Sequence, residues 1–159
     1  MMKRPWNIID LPVYSLVSYD TSDNLNMNIC TYVSAVSMKP KIYSIAIDFN
    51  TKTYQNLMTS DKFVLQLLSK ENISLVRTLG KKSGKKINKD SYLKKKKLIN
   101  WKGYDVLSDV CALIELKKNK EIKIHGDHYI FIFDAISYKS ITDKNILTTD
   151  DLIKKKIIL

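Results

Sequence analysis

Three short stretches carry side chains whose types and spacing could do chemistry. The run LNMNICTYVSAVSMKP, residues 25–40, sets Thr31, Tyr32, Ser34 and Ser37 among Ile29, Val33, Ala35, Val36 and Met38. Two asparagines, Asn26 and Asn28, precede the hydroxyls, and Pro40 closes the run. Hydroxyls at this density can hydrogen-bond a polar ligand laid along a strand, although threonine and serine are also ordinary cross-strand partners. The run DFNTKT, residues 48–53, offers Asn50, Thr51 and Thr53 as caps for a following helix. Its first backbone N–H groups would then face an anion, with Lys52 adding a positive charge; a plain helix cap reads the same way. The third stretch, Gly126-Asp127-His128, places one imidazole after a turn at the start of an apolar run. It can serve a reactive ligand or stand as a structural residue. His125 is assigned no role.

Other chemistries are missing from the pattern. Cys30 and Cys111 stand alone, with no CxxC spacing and no adjacent histidine, so neither a zinc or iron–sulfur site nor a disulfide framework is indicated. No nucleophile–base triad is evident. A reduced, cytoplasmic protein is the expectation.

The elements that must position these residues are mostly strands. Residues 12–19, 26–38, 41–48 and 62–68 read as strands, the second long enough to bend around a barrel. Residues 109–118 and 120–139 read as a second pair, with HYIFIFDAI at 128–136 apolar on both faces, as a helix-covered barrel wall or a dimer interface would be. Helices are expected at 53–60, at 71–80 ending on Gly80, and at about 148–157 with Asp150 and Asp151 in the first turn. No βαβ alternation appears. The expected class is mainly β, an antiparallel barrel with helical insertions in a single domain over 1–159.

A net charge of +11 invites a nucleic-acid reading, but its distribution argues otherwise. Residues 81–102 hold ten lysines against Asp90 alone, so the segment contributes +9 of the net +11. Arg4 and Arg77 are the only arginines, whereas base readout favours the arginine fork. Tyr92 and Trp101 are the segment's only aromatics, too few for a stacking platform. Abundant lysine, isoleucine and asparagine are what an A/T-rich coding sequence produces. The segment reads as a solvated excursion with little periodicity, or as a docking arm for an acidic redox partner. No apolar run reaches the length of a membrane span, and with no uninterrupted apolar block in the first residues a secretory signal is not expected.

Taken in order, NMNICTYVSAVSMKPK, DFNTKT, FVLQLL, GKKSGKKINK and GDHYIFIFDAI resemble the motifs of the flavin reductase-like, FMN-binding split-barrel family over residues 10–140. The resemblance implies a homodimer with flavin at the subunit interface. Asn28, Ile29, Cys30 and Thr31 would run beside the isoalloxazine ring and ribityl chain, and Ser37 would face the same cofactor. Asn50, Thr51, Lys52 and Thr53 would hold the 5′-phosphate of FMN, and His128 would lie near the flavin and the nicotinamide site as the catalytic candidate. The implied activity is NAD(P)H-dependent flavin reduction or flavin-based electron transfer, with FAD as the alternative flavin. A haem- or deazaflavin-binding split barrel and a cofactor-free lysine-rich nucleic-acid barrel are the rival readings. Several positions depart from the family pattern. Ile29 replaces a threonine, Gln66 an asparagine and Lys41 a proline, and Phe133 stands at a usual glycine, where it would crowd the space over the ring.

Overall fold

The computed structural model describes residues 2–158. Its strands are β1 (Tyr14–Tyr19), β2 (Leu25–Met27), β3 (Val33–Ser37), β4 (Ile42–Asp48), β5 (Lys62–Leu67), β6 (Leu98–Trp101), β7 (Tyr104–Leu107), β8 (Ala112–Ile122) and β9 (His128–Ser140). Seven of them form one antiparallel sheet in the order β2-β1-β5-β8-β9-β4-β3, and β6 and β7 form a separate hairpin. Helices α1 (Lys52–Thr59), α2 (Ile73–Lys81), α3 (Lys89–Lys94) and α4 (Thr149–Lys154) are inserted between strands or follow them.

The edges of the seven-stranded sheet explain the hydroxyl-rich run. β2 and β3 are two halves of one stretch of chain, yet they lie on opposite edges. Residues 28–32 join them, held by a Tyr14–Cys30 bridge on one side and by Ala46 N–H donating to the Tyr32 carbonyl at 3.0 Å on the other. One strand thus turns from the first edge to the last and closes the sheet into a barrel. The closure is incomplete at 28–32, where the ladder breaks.

Two apolar layers hold this arrangement. Leu16, Ile45, Phe63, Leu65, Leu116, Phe131 and Phe133 fill the barrel. Val13, Val17, Val64 and Leu68 face outward and pack under α2, α3, α4 and the β6–β7 hairpin, through Leu79, Leu93, Val106 and Leu152. Alternation on β1 and β5 sends neighbouring residues to opposite layers, which is why both strands read as continuous apolar runs. β9 is different: Phe131 and Phe133 point inward, but Ile136 and Tyr138 remain exposed on its outer side.

Several boundaries differ from the sequence reading. The first strand of the late pair runs on to Ile122, because the hairpin turn falls at 123–127, before His128. α2 continues through Gly80 to Lys81. Gly80 is there for close approach, since a Cβ at that position would sit 3.3 Å from the Ile29 side chain. The segment 81–102 is an ordered part of the fold, carrying α3 and β6. α3 is capped by Asn88 and pinned by Asp90, whose carboxylate accepts Leu25 N–H at 2.8 Å and pairs with Lys94 at 2.9 Å. Phe133 lies fully buried against Phe63 and Phe131, with ring centroids 5.9 Å and 6.3 Å away. The expectation that it crowds a ligand is therefore wrong; its side chain fills the barrel. Among the described residues no helix is long and apolar enough to cross a membrane.

Candidate functional site

The break in the closing strand opens onto a cleft of about 350 Å³. That is within the usual range for small-molecule sites, roughly 300–1,000 Å³. Three elements converge on it: the break itself, the N-terminus of α1 with the end of β4, and the loop after α2.

At the break, Cys30 spends both backbone groups on Tyr14, its N–H donating at 2.8 Å and its carbonyl accepting at 2.9 Å. In an extended chain the neighbours turn theirs the other way. Ile29 and Thr31 accordingly line the cleft with backbone polar groups available to a ligand. The Ile29 side chain packs against Gly80 instead, so this residue offers main chain only. The Cys30 thiol points into the barrel, and burial pushes its pKa up to about 12, which makes it an inert filler. Asn28 is fixed by its side-chain oxygen, which accepts Leu16 N–H at 2.8 Å.

At α1, Thr51 is the cap: its hydroxyl accepts Tyr54 N–H at 3.2 Å and donates to the Asp48 carbonyl at 2.7 Å. The first-turn N–H groups of Lys52 and Thr53 have no partner within the helix and belong to the cleft wall. Thr53 is buried and accepts Asn26 Nδ2–H at 3.1 Å. Lys52 Nζ lies 3.4 Å from Asp20. Burial works against ionisation of Asp20, yet hydrogen bonds from Asn24, Ser22 and Lys52 hold its pKa down to about 2.

His128 opens β9 at the rim of the cleft, its ring edge-on to Tyr32 with centroids 5.4 Å apart. Nδ1 is 2.7 Å from the Asp127 carboxylate, which leaves Nε2 as the ring nitrogen without that partner.

Asn28, Ile29, Cys30, Thr31, Thr51, Lys52, Thr53 and His128 are thus gathered around one cleft. Two sequence candidates are not. Ser37 sits at the far end of β3, paired with Ile42, and Asn50 is an exposed turn residue whose N–H is bonded to Asp48 at 2.8 Å. On β3 the exposed Ser34 and the half-buried Ser37 do not reach the cleft, because the strand crosses to the other edge before Val33.

Sequence reasoning missed the third wall. Lys82, Ser83, Gly84 and Lys89 come from the segment read as solvated. Lys89 is 6% exposed, and its ammonium donates to the carbonyls of Leu79 at 2.8 Å and Met27 at 3.1 Å. It ties the end of α2 to the end of β2. Burial without a carboxylate partner lowers its pKa from 10.5 to about 8. The SG pair within GKKSGKKINK was the available signal, since a lysine run gives no warning of one buried member.

The sign of the Lys89 effect on stability follows from linkage. Below pH 8 both folded and unfolded chains carry the proton, and the burial cost is fully present. Between about 8 and 10.5 the unfolded chain binds a proton that the folded chain has lost, so stability rises with pH. Relative to Lys89→Met, the native protein should gain up to about 3 kcal/mol across that window. Urea unfolding of both proteins at the two pH values measures this. Parallel pH dependences would show that the ammonium is not buried in its charged form.

The flavin reductase like domain matches the chain over residues 7–151. No curated protein matches it. Among solved structures, the FMN-binding protein from Thermus thermophilus with bound p-hydroxybenzaldehyde superposes with a TM-score of 0.76 at 16% identity, covering 90% of this chain and 79% of that one. The NADH:FAD oxidoreductase from Streptomyces globisporus gives a TM-score of 0.76 at 14% identity, over 87% and 80% of the two chains. Flavoredoxin from Methanosarcina acetivorans gives 0.73 at 15% identity, over 89% and 75%.

Proposed function

This chain belongs to the flavin reductase-like family, and we propose on that premise that it is a cytoplasmic flavoprotein that takes reducing equivalents from NAD(P)H. The observation that carries the reading is the convergence of a broken strand, a helix N-terminus and a cationic loop on one cleft. A flavin mononucleotide moiety needs those three things: main-chain polar groups for the edge of the ring, apolar wall for its face, and N–H groups with cations for a phosphate. Ile29, Thr31 and Ala46 supply the first two, and Thr53, Lys52 and Lys82 the third. When bound, the flavin supplies hydride acceptance and one-electron chemistry, which the side chains here cannot perform.

The chain's own contribution is binding and placement. Asn28 and Cys30, tied to β1, hold the break rigid. Leu79 and Gly80 of α2 wall off one side of the cleft. His128, restrained by Asp127, stands at the mouth, where a nicotinamide would have to approach, and leaves Nε2 as the group that could orient it. Homodimerisation belongs to the same proposal. Val36, Met38, Ile136 and Tyr138 are 46–79% exposed on β3, on β9 and beside them, and a second copy would cover them. The consecutive lysines 94–97 remain on the surface for an acidic partner.

The visible spectrum of purified protein with added FMN, followed anaerobically by NADH and then NADPH, tests the reading. Perturbed flavin bands that bleach with a pyridine nucleotide are expected. Perturbed bands that survive both nucleotides would leave a flavoprotein fed by another donor. An unperturbed flavin spectrum would sink the assignment, and a steep loss of oligonucleotide binding with salt would then favour the nucleic-acid rival.

A further inference from the structure

The barrel is filled at its centre but not at one mouth. Tyr14, Tyr43, Ile114 and Ala135 pack on the inner apolar layer and line a cavity of about 680 Å³ beyond it, larger than the cleft at the broken strand. The two lie at opposite ends of the same strands. The cleft takes the end of β4 and the start of β9, at Asp48 and His128, whereas the cavity takes Lys41, Tyr43 and the last residues of β9. Barrel mouths are common places for small-molecule sites, and this volume falls within their usual range.

An apolar floor is combined there with polar groups that favour an anion. Burial raises the pKa of the Tyr14 and Tyr43 phenols, so both keep their protons at neutral pH. Neither hydroxyl makes a hydrogen bond among the described residues, which leaves both as donors. At the rim, Lys41 and Lys139 are exposed. Lys41 Nζ donates to the Met38 sulfur at 3.4 Å, and neither lysine makes an ion pair among the described residues. No carboxylate lines the cavity, and Glu115, beside it on β8, is spent on Ser137 and Lys102. Two ammonium groups and two phenols around an apolar wall suit a ligand with a ring and a negative head.

We propose that this barrel mouth binds an aromatic carboxylate, its ring on the apolar floor beside Tyr14 and Tyr43 and its carboxylate at Lys41 and Lys139. The site stands apart from the flavin reading of the cleft. Ile136 and Tyr138 at its rim belong to the face that a second copy would cover, and such a copy would roof the cavity. Calorimetric titration of the native protein and of Lys41→Ala/Lys139→Ala with naphthoate and its uncharged analogue naphthamide tests the proposal, each run repeated with saturating FMN. Both lysines are exposed, and the Lys41 carbonyl that accepts Ala135 N–H at 3.0 Å survives truncation, so the fold should hold. Naphthoate should bind the native protein about tenfold or more tightly than naphthamide, a gap the double variant reduces to roughly twofold. FMN should leave both affinities unchanged. Equal affinities in the native protein, a variant that binds as the native does, or displacement by FMN would overturn the site. No heat with either compound would overturn it too, and a dimer in sedimentation would then assign the mouth to the second copy.

Discussion

Phe133→Ala is expected to cost about 3–5 kcal/mol and to lower the melting midpoint by roughly 6–20 °C. The ring is fully buried at the centre of the barrel, edge-on to Phe63 and stacked with Phe131. Removing it leaves a cavity bounded by strands from opposite sides of the sheet, and a closed barrel cannot collapse to fill it as an open layer can. Phe133→Leu keeps most of the volume and should lose less than half as much. Thermal and urea unfolding of both variants decide the matter. A midpoint within a few degrees of the native protein's would mean that the ring is not in the core. Flavin affinity of folded Phe133→Ala should hold, because the side chain does not line the cleft. A tighter flavin complex would instead restore the idea that this phenylalanine crowds the ligand.

Gly84→Val is expected to behave oppositely, with flavin affinity reduced at least tenfold and stability changed by less than about 1 kcal/mol. Its Cβ would collide with two groups that cannot yield cheaply. Lys52 Cβ is rooted in the first turn of α1, and the Asn26 amide is buried and anchored through Thr53. The loop carrying Lys82, Ser83 and Gly84 must therefore lift away from the phosphate end of the cleft. The loop contributes little to either apolar layer, so the melting midpoint should barely move. Gly84→Ala meets the same contacts with fewer atoms and should fall between the two. Native flavin affinity in Gly84→Val would remove the loop from the site.

Much of this molecule was legible in its residues. β-branched and aromatic runs bounded by turn residues, together with the lack of βαβ alternation, were enough for an antiparallel barrel. The cap at Thr51 was legible because capping depends on three or four consecutive residues. The late strand pair was placed too early because the turn at 123–127 is marked only at its end, by Gly126 and Asp127, after charged and apolar residues that also suit a strand. Ser37 and Asn50 were placed at the site because neighbouring residues in sequence were treated as neighbours in space. A strand that changes edges, and a turn whose side chain faces outward, separate them.

The sequence by itself determined what is local: where the strands of the large sheet run, though not the β6–β7 hairpin, where α1 begins, and that one imidazole opens β9. These depend on propensities and hydrogen bonds within a few residues. The tertiary structure alone decided three things. It carried residues 28–32 across the gap between β2 and β3, turned the Phe133 ring into the barrel, and drew one lysine of a charged run under α2. Each depends on which distant surface a residue meets. Lys89 shows the physical reason most plainly. Nothing in a row of ten lysines distinguishes the one whose ammonium reaches two carbonyls, because those carbonyls belong to residues 10 and 62 positions away in the chain.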